Sequence, residues 1–154
     1  PSRPAECGSG TFAPEVPDST QSSCAECPSG RYALPDTATC GQCSYGSFAS
    51  AGSGSCSQCQ AGEVPDSCVQ CQGGKFSVPG SAICAECSSG TFATYGSGYC
   101  SQCQAGEVPD SIQSGCVQCQ GGKFSVPGSA LCAECSSGTF ATYGSGYCSQ
   151  CQAG

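Results

Sequence analysis

The sequence predicts a fold of small disulfide-rich repeats: an elongated array of short β-hairpin units, with little or no helix and a minimal hydrophobic core. Three observations carry that prediction. Nineteen of the 154 residues are cysteine, a density that marks a chain held by disulfides. The cysteines fall in CxxC pairs at a near-constant step along the whole chain. Only 38% of the residues are hydrophobic even with cysteine counted, so a chain long enough to bury a core lacks the side chains to fill one.

The pairs open at Cys24, Cys40, Cys56, Cys68, Cys84, Cys100, Cys116, Cys132 and Cys148. The step is 16 residues except between Cys56 and Cys68, where four are missing. Comparing GEVPDSC with GEVPDSIQSGC identifies the lost stretch as IQSG. Before Cys24 the spacing is four residues longer, and Pro4 stands where the first cysteine of that pair would fall. After each pair comes x-x-Gly-x-aromatic, and every third unit puts Val in place of the ring. The units therefore rotate through three types in a 48-residue supercycle, and residues 116–154 repeat 68–106 with one change, Leu131 for Ile83. The organisation read from this is a partial repeat with an insertion at 1–23, three units at 24–67 with the last shortened, a full supercycle at 68–115 and a second at 116–154. The ends, PSRPAEC and CSQCQAG, read as cuts within a longer, processed protein.

Each unit reads as an irregular hairpin. The units carry two or more Gly, frequent Pro and no 3.6-residue periodicity, which disfavours helix. KFSV–PGS–AIC, TFATY–GSG–YC and RYAL–PDT–ATC have β-formers on both sides of a turn. One such unit cannot bury enough to fold alone, so the stability of the array must include stacking of each unit on its neighbours.

Connectivity does not follow from cysteine positions alone. Joining the second cysteine of each pair to the first of the next gives Cys7–Cys24, Cys27–Cys40, Cys43–Cys56, Cys59–Cys68, Cys71–Cys84, Cys87–Cys100, Cys103–Cys116, Cys119–Cys132 and Cys135–Cys148. Cys151 is left over, its partner expected in a following repeat. This scheme accommodates the odd count, and loops can change length without orphaning a thiol. Two alternatives stand beside it. Disulfides within each CxxC are strained and redox-prone. Zinc in C-x2-C-x12-C-x2-C sites is the other, although the chain has no His and two Lys.

At CPSGRYALPDTATCGQC the C-x-x-G-x-Y spacing resembles the first loop of tumour-necrosis-factor-receptor cysteine-rich modules. The serial CxxC-x-x-G-x-[FY] spelling is closer to the ephrin-receptor-like cysteine-rich repeats, relatives of EGF-like and furin-like modules, and the likeness covers essentially the whole chain. It implies the same loop disulfides as the scheme above. It also implies an extracellular modular rod, such repeats being common in surface proteins and in the shafts of flagellar hairs (mastigonemes). Those receptors carry varied repeats, whereas this chain is nearly monotonous.

No constellation for catalysis is visible: there is no His for proton transfer and no phosphate-cradling loop leading into a helix. The reading is a non-enzyme without cofactor or metal. Net charge is −7, which opposes nucleic acid and anionic membranes as partners, and no 18-residue apolar run exists to span a membrane. Glu63/Asp66 and Glu107/Asp110 repeat and could offer oxygens to Ca²⁺, but a hard-cation site wants six or more, so exposed turn carboxylates are the plainer reading. Phe12, Tyr32, Phe48, Phe76, Phe92, Phe124 and Phe140 recur once per unit and are read as a packing ladder. Tyr95, Tyr99, Tyr143 and Tyr147 are read as more exposed, with hydroxyls free for lateral contacts. Without Asn there is no N-glycosylation acceptor; Ser67, Ser77, Ser111 and Ser125, in turns, are candidates for O-linked glycans. The expected function is an extracellular structural rod that self-associates into a fibre, filament or appendage shaft. The alternative is a stalk or ectodomain of a surface receptor or adhesin.

Overall fold

The computed structural model describes residues 6–13 and 23–152; most of the early insertion therefore lies outside the described residues. Nine disulfides close nine loops, numbered here in chain order: Cys7–Cys24, Cys27–Cys40, Cys43–Cys56, Cys59–Cys68, Cys71–Cys84, Cys87–Cys100, Cys103–Cys116, Cys119–Cys132 and Cys135–Cys148. Six loops of full length and the IQSG-bearing loop 7 span 13 residues from cysteine to cysteine, loop 4 spans 9, and loop 1 spans 17.

Each loop carries one antiparallel two-stranded hairpin, and no described residue is helical. In order, β1 (Thr11–Phe12) pairs with β2 (Ala25–Glu26), β3 (Arg31–Tyr32) with β4 (Gly41–Gln42), and β5 (Ser47–Phe48) with β6 (Ser57–Gln58). Then β7 (Glu63–Val64) pairs with β8 (Val69–Gln70), β9 (Lys75–Phe76) with β10 (Ala85–Glu86), and β11 (Thr91–Phe92) with β12 (Ser101–Gln102). The last three pairs are β13 (Glu107–Pro109) with β14 (Cys116–Gln118), β15 (Lys123–Phe124) with β16 (Ala133–Glu134), and β17 (Thr139–Phe140) with β18 (Ser149–Gln150).

The strands differ from the sequence reading in one respect. Sequence placed both arms within the loop, on either side of the PGS, GSG or PDT turn. In the structure the return strand lies between the two cysteines of the next pair, with β14 alone among the described strands starting on the closing cysteine itself. The cause is where the backbone groups go. The arm after the aromatic bonds to adjacent loops: Gly30 N–H donates to the Ala49 carbonyl at 2.7 Å, Ala33 N–H to Ser53 at 3.3 Å, and Gly52 N–H returns to Cys27 at 3.0 Å. The same triplet joins loops 5 and 6, through Gly74 to Ala93, Ser77 to Ser97 and Gly96 to Cys71. Nothing of that arm is left for a longer hairpin.

Burial follows the same ruler. The second cysteine of a pair (Cys7, Cys27, Cys59, Cys71, Cys87, Cys103 and Cys119) and the small residue after the ring (Ala33, Ala49, Ser77, Ala93, Ser125 and Ala141) are buried. The core is thus a file of sulfur and methyl-sized groups, with Val108 its one larger aliphatic among the described residues. The accessible surface is 9782 Å² for a 15.2 kDa chain, against about 7,100 Å² for a compact globule of that mass. The array is elongated.

Candidate functional site

The surface between loops recurs along the described residues and sets where every exposed side chain stands. Loops touch their neighbours and also the loop after next. At Gly106 in loop 7, φ is +83°, and an added Cβ would overlap the Gly144 carbonyl in loop 9. Only glycine satisfies both the left-handed backbone and the close approach. The same overlap would arise from loop n to loop n+2 at Gly10, Gly46, Gly62, Gly74 and Gly90. A second file of small residues accompanies it: Ser9 lies against Gly54, Ala61 against Gly98, Ser114 against Gly73 and Ala105 against Gly146. One member of each of these pairs is glycine. Side chains from the hairpins close the gap, as the Gln70 amide covers Gly96 and that of Gln118 covers Gly144. Sequence reasoning did not find the n/n+2 contact. The constant glycine three residues after each second cysteine was its visible trace, read there only as part of the repeated motif.

Across each hairpin the partners are complementary in size. Phe12, Phe76 and Phe124 face Ala25, Ala85 and Ala133; Phe48, Phe92 and Phe140 face Ser57, Ser101 and Ser149; Tyr32 faces Gly41. In the third unit type Val64 faces Val69 and Val108 faces Val117. The ladder rings are half-buried rather than enclosed, and Phe140 is 47% exposed. Lys75 and Lys123 sit opposite Glu86 and Glu134 and pair with them at 3.5 and 3.6 Å. Both pairs are solvated, so each contributes roughly 0–1 kcal/mol.

Tyr95, Tyr99, Tyr143 and Tyr147 are exposed, as are Tyr45, Ile83, Ile112 and Leu131. The serine candidates divide. Ser67 and Ser111 are exposed. Ser77 and Ser125 are buried at 2%, and their hydroxyls donate to the carbonyls of Glu63 and Glu107 at 2.9 and 3.0 Å. This corrects the sequence reading: a hydroxyl committed to a carbonyl and closed off from solvent is no glycosyl acceptor in the folded chain.

The carboxylates of the third unit type, read from the sequence as turn carboxylates ahead of a cation site, include Glu63 and Asp110 bonded within their own turns. Among the described residues no three His, Cys, Asp or Glu side chains converge on a point. Asp110 instead organises its own loop. One carboxylate oxygen accepts the Ser114 and Ile112 amides at 2.9 and 3.1 Å, and the other accepts the Ser114 hydroxyl at 2.8 Å. These bonds, led by the Ser114 amide, hold the Asp110 carboxyl below its ordinary pKa. The loop they shape presents Gln113, whose side-chain amide donates to the Ser88 and Thr91 carbonyls of loop 6 at 2.9 Å each. The Gln113 carbonyl accepts the Ala93 N–H at 2.9 Å.

Cys151 is exposed and unpaired within residues 6–13 and 23–152. No helix among the described residues is long and apolar enough to cross a membrane. No protein-family model matches the chain, and no curated protein matches it. What the geometry itself carries is a tandem, disulfide-stapled hairpin array. This is an architecture of extracellular structural or ectodomain-like proteins, formed where thiols are oxidised.

Proposed function

We propose that this chain is part of an extracellular structural rod that assembles into a fibre, filament or appendage shaft. The observation that carries the reading is the congruence of the two supercycles. Tyr95 and Tyr143 are 67% and 68% exposed, Tyr99 and Tyr147 both 70%, and Val78 and Val126 both 55%. A surface that returns after 48 residues with one aliphatic exchanged, Leu131 for Ile83, offers a neighbouring molecule nearly the same contact at a constant rise, the condition for an open, regular assembly. The tyrosines are the lateral contacts in this reading, and Ser67 and Ser111 carry O-linked glycans. The ephrin-receptor-like spelling of the repeats supports an extracellular modular role and membership of that wider group of cysteine-rich modules.

The test is electron microscopy of native, unreduced material. Regular filaments with an axial repeat set by the supercycle are the expected result. Dispersed single rods would reject the fibre and favour a stalk that spaces a binding head from a cell surface.

A further inference from the structure

The recurring bonds between loops thin out where loop 6 meets loop 7 and are lost where loop 3 meets the shortened loop 4. Loop 3 reaches loop 4 through none of the three recurring backbone bonds, whereas loop 6 keeps one of them to loop 7, from the Ala93 N–H to the Gln113 carbonyl; loop 4 closes at Cys68, before the position of Gln113 is reached. A Cβ built on Gly30, two loops earlier, would meet no atom within 4 Å, where one on its counterpart Gly74 would overlap the Ile112 carbonyl. A groove of about 620 Å³ opens at this seam, lined by Gly30, Ser44, Ser47, Phe48, Pro65 and Ile83. Beside Gly74 in the complete array, Ile112 and Gln113 themselves line a smaller hollow of about 160 Å³.

Loop 7 shows what the groove is shaped to hold. There Ile112 and Gln113 lie over Gly74, and Gln113 bonds Ser88 O, Thr91 O and Ala93 N–H. Counting from the preceding cysteine, the counterparts in loop 3 are Ser44 O, Ser47 O and Ala49 N–H. Ala49 is buried, at 2% exposure, and loop 4 supplies no carbonyl at the position from which Gln113 serves Ala93. We propose that this groove is a peptide-binding site. Its occupant is an extended polypeptide segment from another molecule, with an apolar residue followed by glutamine, which takes the place of the missing IQSG. The glutamine amide donates to Ser44 O and Ser47 O, its backbone carbonyl accepts from Ala49 N–H, and the apolar residue rests over Gly30. The recognition is that of a sequence complementing a vacancy in a hydrogen-bonded array, and it stands independently of whether the rod forms fibres.

The experiment titrates the oxidised chain with the capped hexapeptide Asp-Ser-Ile-Gln-Ser-Gly and follows backbone amides by NMR. Saturable shifts confined to residues around Ser44, Ser47 and Ala49, with slowed exchange of the Ala49 amide, are expected. A peptide with Ala for Gln should bind roughly tenfold more weakly, having lost two hydrogen bonds. A chain variant with IQSG inserted between Ser67 and Cys68 should lose the response. No saturable shift, shifts located elsewhere, equal binding of the Ala peptide, or undiminished binding by a folded insertion variant would each overturn the proposal. Should that variant not fold, the shift map and the Ala peptide on the unaltered chain decide alone.

Discussion

A single glycine in each unit does two jobs, and Gly30 and Gly106 separate them. Both have left-handed backbones, with φ of 82° and 83°. Only Gly106 has a neighbouring carbonyl where a Cβ would go; Gly30 has open space. Gly30→Ala should therefore cost the backbone term alone, about 1–2 kcal/mol. Gly106→Ala should cost about 1–3 kcal/mol more, because loop 9 must move. Denaturant midpoints of the two variants under non-reducing conditions check the ordering, and equal losses would refute the close approach. Asp110 provides a second test at this scale. Its folded pKa is depressed, so its stabilising bonds are fully present above the unfolded aspartate value and disappear as pH falls through the lower, folded one. Exchange protection of the Ser114 amide, corrected for intrinsic rate, should hold at pH 5 and fall away on acidification below the ordinary aspartate range. Asp110→Asn should abolish that pH dependence.

At the scale of the hairpin, two residues per strand are enough because the disulfide and the next loop do the rest. The cross-strand partners trade size: a ring opposite Ala, Gly or Ser, or Val opposite Val. Val108→Phe should therefore destabilise loop 7 by overpacking against Val117, and Val117→Ser added to it should restore part of the loss. A coupling of about 0.5–1 kcal/mol in the double-mutant cycle is the expected size; strict additivity would show that the pair does not interact. The hairpin array was legible in the sequence because cysteine spacing, Gly and the β-forming dipeptides such as Lys75–Phe76 all point to short stapled turns. The position of the return strand was not legible. Ala85 and Glu86 lie between two cysteines, and no periodicity can be read from two residues. The buried hydroxyls of Ser77 and Ser125 were missed for a related reason. They occupy the small core position that Ala33 and Ala93 fill in other units, and composition alone reads a serine in a turn as solvated.

For the whole molecule, the contact between loops two apart was hidden because it is made by main chain. Gly106 against the Gly144 carbonyl leaves no side-chain pattern beyond the glycine itself. Loop 7 and loop 4 show how much one tetrapeptide controls: with IQSG the seam is bridged by Gln113, and without it a groove remains.

The order of the nine disulfides has a mechanical consequence. Because each joins the end of one cysteine pair to the start of the next, a pull along the chain runs from Cys27 through sulfur to Cys40, along Gly41 and Gln42 to Cys43, and again through sulfur to Cys56. The loop residues are spared the tension. Taut length per unit is then the 5.8 Å between Cys27 and Cys40 Cα atoms plus about 10 Å for three extended residues. A reduced unit of 16 residues could stretch to about 54 Å. Single-molecule force spectroscopy should find an oxidised tether that yields almost nothing and a reduced one that lengthens about threefold. A tether that pays out loop by loop while still oxidised would contradict the linkage. The molecule behaves as a cable whose slack is locked away by its own covalent links.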